Sequence, residues 1–408
     1  MRILFITNYY PPEIGAASHL FYELARELSR REHRVTVLTG FPRYNVGGRT
    51  FSKDELASLD ARDNIRVVRV KTPTFRKESK IARGIEHFTV SALFALAGSL
   101  GKQDVALIYS PPLTLGLTGD FFRRSRGIPY IINVQDLFPQ SAIDLGVLNN
   151  RLLVRMFEGI ERYVYRRACF VTVHSEGNAE HVIRKGAPSG CVVVVPNWVN
   201  TNEIAPGERD NAFRRSAGYS PEDFVVSFAG TMGFSQDIDI VLEAAKHLSS
   251  IPRIKFLLVG DGVEKARLVE KAGEMSLGNL QFLPMQPKER YPEVLAASDV
   301  SLVTLKKEVL TPVVPSKLLS IMASGRPVIA SMNLYGDAPT IIQRSGCGVC
   351  VPAGDAEEFA AAIRSLWENE AIRLEMGKRG REFVVREFSV GACASKYEEL
   401  FRAAKREK

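Results

Sequence analysis

The stretch RILFITNYYPPEIGAASHLFYELARELSRREHRVTVLT, Arg2 to Thr39, decides the fold. Arg2–Asn8 opens with a short apolar run of the kind that fills a buried strand. Tyr9–Ser18 is rich in proline, glycine and small residues and reads as a loop. Ser18 is suited to cap a helix over His19–Arg31, in which Leu20, Leu24 and Leu28 share one face. Val35–Thr39 is again an apolar, β-branched run. Strand, loop, helix and strand in this order form a βαβ unit, whose two strands must be parallel.

The same alternation continues on both sides of the chain's midpoint. Further strands are expected at Ile65–Val70, Val105–Tyr109, Tyr130–Val134, Phe170–His174 and Val192–Val195. Pro196–Asp210 is polar and irregular and reads as a linker. Strands then resume at Phe224–Phe228, Ile254–Val259, Leu280–Leu283, Val300–Leu305, Val328–Ala330 and Gly348–Val351, with helices between them. The expected fold is α/β, with two doubly wound Rossmann-like domains. One spans residues 1–200 and the other 201–387, and in such sheets ligands bind beyond the carboxyl ends of the strands, in a cleft.

Composition narrows the classes. The chain has 408 residues, 45% apolar and 25% charged, which is ordinary globular usage. Five cysteines are too few for a disulfide framework and suggest a reducing compartment. Residues 1–200 carry a net charge of +9 and residues 201–408 a net of −1. An anionic partner is therefore sought in the first half. Met1-Arg2 leads straight into a strand, so no secretory signal is read. The longest uncharged apolar run, Phe88–Leu100, has thirteen residues, short of the ~18 that span a bilayer. A cytoplasmic protein is expected, with no nucleic-acid partner.

Four loops carry chemistry. The loop around Gly15 presents backbone N–H groups ahead of a helix and suits an anion, although G-x-G-x-x-G is absent. Asn133–Pro139 ends a strand and offers Asp136 as a carboxylate to orient a hydroxyl or act as a base, or else as a helix N-cap. Gly230–Asp237 places Gly230 and Gly233 where backbone can approach a diphosphate. Pro315-Ser316-Lys317 starts a helix that Gly325 ends, pairing free N–H groups with a point charge. Cys347 and Cys350 lie in an apolar strand pattern and read as structural thiols. The six histidines show no metal spacing, and no P-loop or G-x-S-x-G occurs. Arg76, Lys77, Lys80 and Arg83 precede Phe88–Leu100, and Arg123, Arg124, Arg126, Arg162, Arg166 and Arg167 add to the charge. This pattern suits an anionic membrane surface, or equally a core helix with solvated charges around it.

Taken together, TNYYPPEIGAAS, SPPLTLGLTG, NVQDLFPQS, VVPNWVN, FAGTMGFSQDID, LLVGDG, VPSKLLSIMASGRPVIAS and GCGVCVPAGD resemble glycosyltransferase family 4, of GT-B fold. Within that family the chain resembles the WbuB-like group, typified by L-fucosamine transferases. The resemblance implies retaining transfer of a sugar, an N-acetylated deoxyhexosamine or hexosamine, from a nucleotide diphosphate sugar, with UDP as the carrier. The acceptor implied is a polyprenyl-diphosphate-linked sugar in surface polysaccharide assembly, at the inner face of the cell membrane. Gly15 would approach the donor, and Gly233 would lie against its diphosphate. Pro315, Ser316 and Lys317 would bind that diphosphate, and Lys317 would stabilise the leaving group. Gly260 and Met285 would frame the base. No metal or cofactor is implied. A helix near Gly391–Lys405, within residues 388–408, would return to the first domain. The chain departs from the family at Gln135, where His is usual, and at Ser320, where a ribose-binding Glu is usual. It also departs at Met232, where a basic residue is usual. An epimerase of similar shape and an inactive membrane-bound scaffold are the alternatives.

Overall fold

A computed structural model describes every residue except 14, 43–50, 53–54, 57–61, 74–79, 99, 145, 310–313 and 407–408, and leaves the side chains of 16, 62 and 80–83 undescribed. The chain divides into two compact units, Met1–Asn197 with Val390–Lys408, and Trp198–Ser389.

The first unit holds seven strands: β1 (Arg2–Ile6), β2 (Arg34–Gly40), β3 (Arg66–Val70), β4 (Val105–Ser110), β5 (Tyr130–Val134), β6 (Phe170–Val173) and β7 (Val192–Val194). Their order is β3-β2-β1-β4-β5-β6-β7, with parallel pairing. The second unit holds six: β8 (Phe224–Ala229), β9 (Ile254–Val259), β10 (Leu280–Leu283), β11 (Val300–Thr304), β12 (Val328–Met332) and β13 (Gly348–Pro352). Their order is β10-β9-β8-β11-β12-β13, again parallel. Both are doubly wound sheets, as the alternation implied. Strands β4, β5, β8, β11 and β12 are buried along their whole length, because helices cover both faces of such sheets. In each sheet the winding reverses beside the first strand, next to β1 and next to β8. The loops that follow these strands therefore open at the switch points, where doubly wound sheets take ligands.

Three local expectations change. Helix one begins at Ala16 rather than His19, with Gly15 preceding it and no side-chain cap. Ser18 is buried inside that helix, so it caps nothing. The Phe88–Leu100 run is not one helix: the helix Lys80–Ala95 stops inside it, Val90, Phe94 and Leu100 enter the core, and Leu96 is 76% exposed. Arg76 and Lys77 lie outside the described residues, and nothing is described of the side chains of Lys80 and Arg83. The Pro196–Asp210 segment is also more than a loose tether. Val199 pairs with Ser389, and Arg381 donates to the carbonyls of Thr201 and Ile204 at 3.0 and 2.9 Å.

The C-terminal helix, Val390–Arg406, belongs to the first unit. Tyr397 is the polar pin that holds it there. Its buried hydroxyl accepts from the Asn133 amide at 2.8 Å and shares a 3.2 Å bond with Thr172. Nearer the surface, Arg31 and His33 bond Glu398 at 3.0 and 2.6 Å. Replacing Tyr397 with Phe leaves Asn133 and Thr172 short of a partner in a dry core. A loss of about 1–3 kcal/mol is expected, read as a lowered denaturation midpoint in urea with an unchanged slope. An unchanged midpoint would show that the helix is held without this bond.

Candidate functional site

The site is built on the carboxyl edge of the second sheet, from the loops after β8, β9 and β11. The first two interlock backbone to backbone. Gly230 donates to the carbonyl of Val259 at 2.9 Å, and Met232 donates to that of Asp261 at 2.8 Å. A Cβ at Gly260 would sit 1.9 Å from the Gly230 carbonyl oxygen, and one at Gly262 would sit 2.3 Å from that of Met232. Only glycine permits this approach. Lys265 then ties the strand ends together, donating to the carbonyl of Gly260 at 2.8 Å and to that of Leu283 at 3.4 Å.

Lys317 lies beside this floor. Pro315 sets up the helix Ser316–Ala323, and Gly325 follows its end with φ +69°. The helix therefore directs the N–H groups of its first turn to the carboxyl edge. The Lys317 ammonium sits 3.9 Å from the centroid of the Phe228 ring and donates to Gln236 Oε1 at 2.6 Å. Its Cε and Nζ lie 3.6 and 3.7 Å from where a Cβ on Gly230 would stand. Among the described residues no carboxylate pairs with it. Burial thus dominates, and the amine's pKa falls from the usual lysine value to about 7. A desolvated cation held by one neutral acceptor and a ring face is a ready receptor for an anion.

The sequence-predicted residues divide accordingly. Lys317 comes together with Gly230 and, through it, with Gly260. Gly233 lies on the same loop, and the nearest atom a Cβ there would meet is Thr231 Cγ2 at 3.9 Å. The packing thus places no steric demand for glycine there. Ser316 is exposed at the helix start, and Ser320, one turn on, donates to the Ser316 carbonyl at 3.2 Å and hydrogen-bonds Tyr291. Met285 is half exposed after β10. Two residues of this site, Phe228 and Gln236, lie within FAGTMGFSQDID without a role that the stretch itself announces, because packing brings each to Lys317.

Met232 needs a correction. It is fully buried in the core of the second unit, and both its backbone groups are spent on the β9 loop. A basic side chain there would be driven into apolar surroundings. The exposed position next to the glycine is Thr231.

On the first sheet, Gly15 precedes helix one after β1, and Asp136 follows β5. Asp136 is exposed and caps no helix; its carbonyl accepts from Phe138 at 2.9 Å. Its charge adds to burial in raising the pKa values of the Tyr109 and Tyr165 phenols, so both hydroxyls stay protonated near it. Gln135 and Asn197 exchange two amide hydrogen bonds, each 2.8 Å, and Gln135 also reaches Asn133 at 3.0 Å. An imidazole cannot make that reciprocal pair, which gives Gln135 a structural role of its own. His174 is half buried and bonds Asn178. Burial pushes the Cys347 and Cys350 thiols up to about 11, as inert structural cysteines. Among the described residues no group of His, Cys, Asp and Glu is arranged to hold a metal.

Residues 210–383 match the family model for glycosyl transferases group 1, and residues 15–198 match that of the glycosyl transferase 4-like domain. The chain is 26% identical to the putative colanic acid biosynthesis glycosyl transferase WcaI of Escherichia coli, with 95% of this chain and 98% of that protein covered. It is 27% identical to the probable glycosyltransferase WbjE of Pseudomonas aeruginosa, over 73% and 75%. Among solved structures, HepE of Anabaena in complex with UDP superposes with a TM-score of 0.73 at 16% identity, covering 99% of this chain and 100% of that one. The lipopolysaccharide glycosyltransferase WaaG superposes with a TM-score of 0.64 at 16% identity, over 98% and 99%. These neighbours share the GT-B fold. The matches favour transfer over the epimerase and scaffold alternatives. With both units matched in chain order, the chain is a glycosyltransferase whose first unit matches the glycosyl transferase 4-like domain and whose second matches the glycosyl transferases group 1 model.

Proposed function

We propose that the chain transfers a sugar, with retention, from a UDP-sugar to a polyprenyl-diphosphate-linked sugar in surface polysaccharide assembly. An N-acetylated deoxyhexosamine of the L-fucosamine type, or a hexosamine, is the proposed group transferred. The observation that carries the proposal is the uncompensated amine of Lys317 above the Gly230–Gly260 floor. The name of the colanic acid relative supports the polymer class.

Each residue has a task in the reaction. The bond from the sugar's anomeric carbon to the diphosphate breaks while a bond to the acceptor hydroxyl oxygen forms. Negative charge grows on the leaving phosphate oxygen, and Lys317 and the first-turn N–H groups at Ser316 stabilise it where it develops. Gly233 lets the diphosphate approach the backbone, Gly260 and Met285 frame the base, and Ser320 borders the ribose. Gly15 is the donor contact proposed on the first unit. Asp136 orients the acceptor hydroxyl, whose proton leaves to the carboxylate or to the departing phosphate. No metal or cofactor takes part in this scheme.

Membrane attachment belongs to the same proposal, with the protein held peripherally at the cytoplasmic face. No helix among the described residues is long and apolar enough to cross a bilayer. The helix Arg151–Arg167 turns Leu152, Met156 and Tyr163 outward beside exposed Arg155, Arg162 and Arg166, with Leu152 75% exposed. Apolar and cationic stripes side by side suit an anionic lipid interface. This arrangement complements the proposed contact of Arg76, Lys77, Lys80 and Arg83.

Three measurements test the proposal. Lys317→Ala is expected to lower the rate of labelled-sugar transfer from UDP-sugar to lipid-linked acceptor by about 10²–10³-fold. Transfer at the wild-type rate would remove Lys317 from the mechanism. Between pH 7 and the ordinary lysine value the free site binds less proton than unfolded chain does, so bound diphosphate should draw a proton back onto Lys317. Calorimetry of UDP binding near pH 8, in buffers of different ionisation enthalpy, should show uptake approaching about one proton, absent in Lys317→Met. No buffer dependence would contradict this. Flotation with phosphatidylglycerol vesicles should weaken as salt rises and fall further in Leu152→Asp/Met156→Asp. Salt-independent, mutation-insensitive binding would sink the attachment.

A further inference from the structure

At the opposite edge of the second sheet, where strands begin, four arginines gather around two carboxylates. Asp299 precedes β11 and is buried. Both its oxygens are committed, to Arg209 at 2.8 Å on one side, and to Arg214 at 3.2 Å and the Val225 N–H at 2.9 Å on the other. Arg214 is wholly buried and spends its remaining donors on the carbonyls of Ala297, Ser220 and Asp223. These two guanidinium groups therefore share one carboxylate and spend their other donors on backbone carbonyls.

Arg326 and Arg373 differ. Arg326 precedes β12 and, among the described residues, donates only to neutral carbonyls, those of Gly207 at 2.9 Å and Ala296 at 2.7 Å. Its Nε is buried and lacks a partner among the described residues. Burial lowers its pKa, with Arg209, Arg214 and Arg373 lowering it further and Asp299 opposing them. Arg373 lies over the Phe224 ring at 5.1 Å and donates to the Leu366 carbonyl at 2.8 Å. Among the described residues its one carboxylate contact is a long 3.6 Å approach to Glu370, whose side chain is 75% exposed. Arg209, Asp299, Arg326, Glu370 and Arg373 line one cavity of about 50 Å³. That volume takes a few waters, yet it is far below the ~300 Å³ of a nucleotide-sized pocket.

The geometry points to a second anion site here, for a single tetrahedral oxyanion of the phosphate or sulfate class, held by Arg326 and Arg373. Guanidinium forks match such an ion two oxygens at a time, and the excess of cations over carboxylates supplies the charge. The site is separate from the donor site: strands of five or six residues put roughly 17–20 Å between the two edges of the sheet. It also sits where chain segments converge, since Gly207 and Arg209 belong to the stretch entering the second unit and Arg373 opens the helix Glu370–Phe388 that leads out of it. An ion here would fasten the two together.

Thermal unfolding of the full chain tests this, with inorganic phosphate titrated against sodium chloride at matched ionic strength. The midpoint is expected to climb with phosphate and not with chloride, as for any ligand of the native state. The climb should persist in Lys317→Ala, which removes the donor-site cation, and disappear in Arg373→Gln. Glu370→Gln, which removes the competing carboxylate, should shift it to lower phosphate. Arg326→Gln should abolish it too, and Arg373→Gln decides the matter if that variant does not fold. Inorganic phosphate should act while glycerol phosphate, too large for the cavity, should not. A climb lost in Lys317→Ala and kept in Arg373→Gln would place the anion in the donor site, and equal responses to phosphate and chloride would leave no site at all. Either result overturns the inference.

Discussion

The approach of the Gly260 backbone to the Gly230 carbonyl is the constraint on which the candidate site depends. Any side chain at Gly260 would stand 1.9 Å from that oxygen, so the loops after β8 and β9 can share a floor only while glycine occupies the position. The floor fixes Gly230, whose φ of +147° favours glycine and whose Cα lies against the Lys317 side chain. Phe228, the penultimate core residue before the same loop, provides the ring beneath the amine. Sheet, loop and cation are thus one packed object. The low pKa of the amine follows from that packing, since desolvation is its cause and no carboxylate among the described residues offsets it.

The two anion-seeking regions of the second unit differ in kind. Lys317 sits at the edge where strands end, with its charge uncompensated and its surroundings built from glycine backbone. The arginine cavity sits where strands begin, and part of its charge is neutralised by Asp299, which also holds the entering segment in place. The basic excess of the first half is a third matter. It lies partly on the outward face of the helix Arg151–Arg167. The near-neutral total of the second half therefore hides two local concentrations of positive charge.

Much of the architecture was legible because it is periodic. Short apolar runs alternating with helical stripes forced two parallel sheets, and Pro315 and Gly325 bracketed the helix that carries Lys317. The site was legible where motif and chain neighbourhood coincide, as at Gly260 and Lys317. What escaped involves pairs far apart in sequence. Gln236 and Lys317 are 81 residues apart, and Gln135 and Asn197 are 62 apart. No local pattern announces either bond. Ser18 misled because a good capping residue is also small enough to be buried inside a helix. Met232 misled because alternation along a loop sends one side chain inward and the next outward, and that parity is decided by the β9 loop's carbonyls.

Lys317 is a desolvated amine, proposed to receive a diphosphate. Its titration is observable directly, by following the lysine side-chain NMR signals of protein labelled at Cε, with Lys317→Arg giving the assignment. The amine is expected to titrate near pH 7 in the free protein and to move back toward the ordinary lysine range when UDP is bound. An amine that titrates in the ordinary range without nucleotide, or one that does not respond to UDP, would contradict it.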